Sequence, residues 1–579
     1  MSCRSVAANL FLVLACLTFS SAQDQPSQGK QPEPSTVLKS TTRLVVVDVV
    51  ATNSKGKPVF DLGIHDFKLL ENGKDQEIRV FDFQKPGDQQ PSGELSAAHP
   101  APAAKLAANV FTNAPAYKHS SALNVVLLDS LNTANPRQAF AHDELQRFLE
   151  KFTPSGPVAI YILGGSLRLV QDFTDDPRML TTAALRLDVK GSALLDNKTG
   201  GPPVVMPAIA GNPLDGALRG KEEESRNFST LEQIEITFAA LNSIARSLAA
   251  YPGRKNLIWI SDGFPFYINP RSASESYSKT FGRQISATDN VLMNSQVAIY
   301  PVDAHAIQVI SFDDIGIGKL SDLGVNAITG GSQALQFMSK DFNERLAVHS
   351  TMNDLAEQTG GEAFYNSNSI ESALRQGLSD GSTYYTLGYY PQDKHWDGKF
   401  RKIEVKAARP GIKLRYRLGY YAVEPGALHG GPGLREAALQ QAIDVNSPVS
   451  GGLQFRAAVI QPSEKTKNKL LVNFGIDPRA ISFEKDKGGL WHASVECAVE
   501  AYSSKGKVKS EASTMNAALQ PDAFAHVQQT FFPCQQALDL PPGTYRLRLG
   551  VVDNRTGLLG TANATATIPD TIAAAPAPE

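Results

Sequence analysis

Two aspartates in this sequence stand where an apolar run stops. Val125-Val126-Leu127-Leu128-Asp129 leads into Ser130-Leu131-Asn132-Thr133, and Leu257-Ile258-Trp259-Ile260-Ser261-Asp262 leads into Gly263. Short unbroken apolar runs are the pattern of strands buried on both faces. In an open sheet of parallel strands, ligands bind beyond the carboxyl ends. Two carboxylates leaving such strands would therefore meet on one rim, and hard oxygen groups gathered there suit Mg2+ or Mn2+. The plainer reading is that each aspartate caps the turn or helix after its strand. Taken singly, each reads better as a cap; taken as a pair, they read better as a binding rim.

Other chemistries lack their residues. Gly164-Gly165-Ser166-Leu167-Arg168 comes nearest to the Gly-x-Ser-x-Gly elbow of a serine hydrolase, and Arg168 breaks its last position. That stretch reads instead as a strand continuing through Leu169 and Val170. The histidines are scattered, with no His-Glu-x-x-His zinc pattern, and the glycine runs have neither a P-loop Lys-Ser/Thr nor a dinucleotide fingerprint. No enzyme activity is expected. A net charge of −2 gives no electrostatic reason to expect nucleic acid as a partner. Hydrophobic content of 42% with 20% charged residues is that of a folded protein.

The elements that must position the two aspartates lie in 121–380. There, apolar strand candidates (124–128, 158–163, 256–260, 297–302, 362–365) alternate with helix candidates (137–152, 177–187, 231–251, 352–358), which implies a parallel sheet covered on both faces. The stretches 193–228 and 303–348 read as loops or insertions. On either side lie β segments, 37–84 and 381–424. The first carries the hairpin signal Asn72-Gly73, whose residues both tolerate positive φ. Neither has enough strands to close a sandwich alone, so the two are expected to pair, with the α/β domain inserted between them. Residues 85–120 read as a Pro/Ala-rich linker and 425–447 as a linker with a short helix. A β-sandwich-like domain is expected over 448–568, with a tail over 569–579.

The first 22 residues read as a signal peptide. Arg4 gives a positive start, Ala7 to Phe19 an apolar core, and Ser20-Ser21-Ala22 small residues for cleavage; 23–36 then form a flexible spacer. Val13-Leu14-Ala15-Cys16 also approximates a lipobox, so a cleaved secreted form and a lipid anchor at Cys16 both stand. No later stretch reaches the roughly 18 apolar residues needed to span a bilayer, and no transmembrane segment is expected. The chain is expected to work outside the cytoplasm: secreted, periplasmic or in the cell envelope. In that setting Cys497 and Cys534, both in the C-terminal β region, suggest a disulfide; the alternative is two buried thiols.

An apolar strand entering Asp129-Ser130-Leu131-Asn132-Thr133, then a later strand ending Ser261-Asp262-Gly263, resembles a von Willebrand factor type A (VWA) domain with its metal-ion-dependent adhesion site. Arg43 to Val50, Asp66 to Gly73 and Leu387-Gly388-Tyr389-Tyr390-Pro391 narrow the resemblance to the bacterial VWFA-related family of exported proteins, over roughly 37–424. The resemblance implies a doubly wound parallel-sheet, Rossmann-like domain inserted in or flanked by β-sandwich segments. It implies metal ligands at Asp129, Thr133 and Asp262, with Ser192 of Lys190-Gly191-Ser192 as the third hydroxyl. Leu131 departs from the motif, because leucine offers no oxygen. The implied function is protein–protein interaction or adhesion, with Mg2+ or Mn2+ completed by a carboxylate from a protein ligand. The alternative is a metal-independent structural or scaffold protein of the envelope.

Overall fold

The computed structural model describes residues 44–569 except 85–106, 108, 116–122, 153, 155, 188–212, 265–274, 305–344, 366–369, 381–382, 424–431, 464–465 and 467–468. Of 135–136, 213–229, 275–281, 432–435 and 437 only the backbone is described. All belong to one compact unit, Thr42–Glu579. The signal peptide, Cys16, the spacer, Ser192 and residues 570–579 lie outside the described residues.

The central sheet runs Val297–Asp303, Lys255–Ser261, Leu123–Asp129, Val158–Leu163, Leu167–Thr174. Its first four strands are parallel and the fifth antiparallel. Every residue of the first four is buried, because helices cover both faces. Alternation divides them: Val125, Leu127 and Trp259 pack toward the helix Pro213–Leu248, whereas Val126, Leu128 and Ile260 pack toward Asn135–Lys151 and Ile370–Asp380.

Four expectations change here. The strand ending at Leu163 does not continue past Gly164-Gly165-Ser166; the chain reverses there into the antiparallel strand Leu167–Thr174. Residues 213–228, read as part of a loop, form the first half of the helix Pro213–Leu248, in keeping with their Leu, Ala, Arg, Lys and Glu content. The helices Glu275–Asn294 and Ile370–Asp380 were not anticipated. In place of a strand at 362–365 there is one bridge, Val302 with Phe364.

The flanking segments build two sheets together. One runs Lys413–Arg415, Val45–Thr52, Tyr384–Tyr389, Val80–Gln84; the other runs Gly419–Tyr421, Phe400–Ala407, Phe67–Glu71, Lys74–Gln76. Each holds strands from before and after the α/β domain, so that domain is an insertion within them. Asn72 (φ 48°) and Gly73 (φ 79°) make the tight turn that sets Glu71 opposite Lys74. Between the sheets lie Val47, Leu69, Tyr385, Leu387 and Ile403.

This β domain meets the α/β domain along a charged seam. Asp48 accepts hydrogen bonds from Thr386 (2.9 Å) and from Gln296 (3.0 Å), which precedes the strand Val297–Asp303. Arg415 pairs with Asp380 (2.6 Å) and with Glu362, and Arg417 lies 3.5 Å from Asp289. The approach is close enough to require glycine. At Gly360, φ is +80° and a Cβ would come within 2.7 Å of the Arg417 backbone nitrogen.

The C-terminal domain is a sandwich. One sheet runs Phe532–Leu538, Leu470–Ile476, Phe455–Ile460, Val110–Thr112; the other runs Glu484–Lys485, Trp491–Ser503, Gly543–Asp553, Leu559–Ile568, with Gly506–Leu519 paired to Trp491–Ser503. Val110–Thr112 come from the stretch read as linker. Three residues are too few to show alternation, and their partner strand lies more than three hundred residues onward. Asn113 fixes the connection by donating to the carbonyls of Ser450 and Leu453, both at 2.9 Å. Cys497 and Cys534 are disulfide-bonded across the two sheets, Cα atoms 6.7 Å apart. Among the described residues no helix is long and apolar enough to cross a membrane.

Candidate functional site at the carboxyl rim

The register Leu128 opposite Ile260 brings Asp129 level with Ser261 at the carboxyl end of the sheet. After Asp129 the chain folds over the neighbouring strand, where the Ser130 and Leu131 amides donate to the Leu163 carbonyl at 2.8 and 2.9 Å. Leu131 is thereby turned into the core, fully buried among Leu127, Leu163 and Trp259. A hydroxyl at that position would face apolar neighbours; the leucine completes their packing.

Asp129 is buried, and four donors converge on it. Its Oδ1 accepts the Asn132 amide at 2.9 Å; its Oδ2 accepts Asn132 Nδ2 (2.9 Å), Trp259 Nε1 (3.0 Å) and Ser261 Oγ (2.9 Å). Burial pushes its pKa up, and these hydrogen bonds oppose the shift. Asp129 thus closes its own turn and ties that turn to the adjacent strand.

Thr133 Oγ1 accepts the backbone N–H of Asp262 at 3.1 Å, which clamps one rim loop to the other. The Asp262 carboxylate bonds to Nη1 of Arg137, from the first turn of the helix Asn135–Lys151. A second layer steadies the loop: Asn132 Nδ2 donates to Thr237 (3.1 Å), Gln233 to the Leu131 carbonyl (3.4 Å), and Gln138 to the Thr133 carbonyl (2.6 Å). Beside Asp129, Ser130 and Thr133 is a void of about 10 Å³, about the room one water requires.

Asp129, Thr133 and Asp262 are therefore gathered on one rim. Their arrangement does not fit a resident divalent ion. A near-octahedral site needs several oxygens free to turn toward the metal. Here the Asp129 oxygens accept four N–H and O–H groups, the Thr133 hydroxyl accepts an amide, Asp262 holds a guanidinium, and Leu131 offers no donor. Among the described residues no group of three or more His, Cys, Asp or Glu is placed to hold a metal.

Two further features of the rim escape a reading of the sequence. Asp303 ends the next strand, and its Oδ2 lies 3.1 Å from His349 Nε2; the His349 ring stacks on Tyr365 at 4.3 Å. The signal was available, since Asp303 follows an apolar run just as Asp129 and Asp262 do. Arg137 gave none, because an arginine near a helix start ordinarily reads as solvated surface.

No protein-family model matches the chain, and comparison with curated proteins gives no match. Solved structures similar to it include an aerotolerance-related membrane protein from Bacteroides fragilis (13% identity, 45% of this chain and 99% of that one, TM-score 0.23). A minor pilin, PilB, from Streptococcus sanguinis is 10% identical over 46% of this chain and 61% of its own, TM-score 0.22. A von Willebrand factor type A protein from Catenulispora acidiphila is 7% identical over 80% of this chain and 73% of its own, TM-score 0.23. Superpositions at these scores assign no family.

Proposed function

We propose that this chain is an extracytoplasmic protein-interaction module whose α/β domain binds a protein partner at its carboxyl rim, without a metal ion and without catalysis. The observation that carries the reading is the rim's internal closure. Asp129 and Thr133 spend their oxygens on protein donors and Asp262 gives its Oδ2 to Arg137, which leaves a preformed surface. Ser261 Oγ lies within hydrogen-bond distance of Asp129 Oδ2 and the Gly263 carbonyl (2.9 and 2.7 Å). It is oriented as a structural donor and not as a nucleophile beside a base. The Cys497–Cys534 bridge supports an oxidising compartment.

The test is capture of envelope proteins by the tagged full-length chain, with and without EDTA, alongside an Asp262→Asn variant that stays folded. The reading expects one partner retained in EDTA and lost with Asp262→Asn. Capture abolished by EDTA and restored by Mg2+ would favour a metal-dependent adhesion site. Capture indifferent to the rim variant would move the binding surface elsewhere.

A further inference from the structure

We propose that Arg137 is the resident cation of this rim, filling the role that a divalent ion fills in a metal-dependent adhesion site. The inference rests on the binding-module reading above and deepens it. Three observations meet. The guanidinium bonds directly to Asp262, the second aspartate of the resemblance, and neutralises it. Leu131 is packed into the core and offers a metal no oxygen, which an arginine does not need. The Arg137 side chain is 33% exposed against 11% for Asp262, so the arginine is the more accessible member of the pair.

Charge bookkeeping supports the exchange. A divalent ion at such a rim offsets carboxylates through coordination and recruits water where ligands are missing. Arg137 offsets Asp262 through a fixed, permanently charged fork with five donors, and here one edge of that fork is used inward. Asp129 needs no cation, since four donors already satisfy it. The motif's loss of a hydroxyl at Leu131 and its gain of an arginine at Arg137 are, on this account, two parts of one replacement.

The experiment is Mn2+ titration of the full-length protein by calorimetry, with thermal unfolding of each variant in parallel. Arg137→Met is used because it keeps an aliphatic stem against the helix while removing the charge. Wild type is expected to show no saturable Mn2+ binding at millimolar metal. Arg137→Met, which strips the cation from the Asp262 carboxylate, is expected to gain it, and Arg137→Lys, which keeps a cation there, to lack it. Saturable binding by wild type overturns the proposal. So does a folded Arg137→Met that gains nothing, or an equal gain with lysine in place. None of these outcomes bears on whether the rim captures a partner in EDTA, so this proposal can fail while the binding reading stands.

Discussion

The Thr133 hydroxyl accepts the backbone N–H of Asp262 across 3.1 Å, joining two loops more than a hundred residues apart. Thr133 is 2% exposed, so the acceptor that the Asp262 amide uses is a buried one. Thr133→Val keeps the shape and deletes the acceptor. Leaving a buried N–H unsatisfied costs about 1–3 kcal/mol. Peptide-resolved hydrogen exchange is expected to rise over 257–264 while the C-terminal sandwich is unchanged. Unaltered protection at Asp262 would mean that another acceptor holds that loop.

How much of this rim was legible follows from how local each signal is. Asp129 and Asp262 announce themselves because a buried strand followed by a carboxylate is written in consecutive residues. The register that makes them neighbours, Leu128 against Ile260, needs only the inference of a parallel sheet. Arg137 was illegible because its role depends on where the loop after Ser261 arrives. Leu131 was visible as a departure, but the apolar neighbours that explain it come from separate strands. The same limit hid Val110–Thr112, whose strand character is conferred by pairing with Ala458 and its neighbours. Residues 213–228 of the helix Pro213–Leu248 were hidden for a different reason: the Gly-, Asn- and Ser-rich composition of 193–228 as a whole outweighs the good helix formers in its second part.

Cys497 and Cys534 close a loop with a sequence separation of 37 between opposite sheets of the sandwich. Closing such a loop in the unfolded chain stabilises the domain by about 3–4 kcal/mol in the chain-entropy account. Intact mass of the exported protein is expected to lie a pair of hydrogens below that of the reduced form. Mild reduction is expected to lower the transition of the C-terminal domain and leave the α/β transition in place. A reduced protein that melts unchanged would show that the Phe455, Phe474 and Leu549 core holds the sheets without the bridge.

The seam between the β and α/β domains is expected to be weakest near pH 6–7, by a linkage that acts from both sides. Asp289, fully buried beside Arg417, is pushed from 3.8 up to about 6 by burial. Between those values the native state holds the proton that the unfolded state has released, so stability falls as pH rises through this window. Asp48, raised by burial against the pull of Arg254, Thr386, Gln296 and Lys255, acts in the same direction. Lys255, buried with Asp48 as its counter-charge, is brought from 10.5 down to about 7 by burial. Between about 7 and 10.5 the unfolded state holds the extra proton, so stability rises with pH there. Hydrogen exchange at seam segments 285–299 and 384–389, corrected for intrinsic rates, should therefore show least protection between the two limbs. Asp289→Asn should make the acid limb shallower, leaving the share of Asp48, and Lys255→Met should flatten the alkaline one. A profile that climbs or falls steadily across pH 4 to 10 in wild type would mean that these buried charges titrate alike in the folded and opened seam.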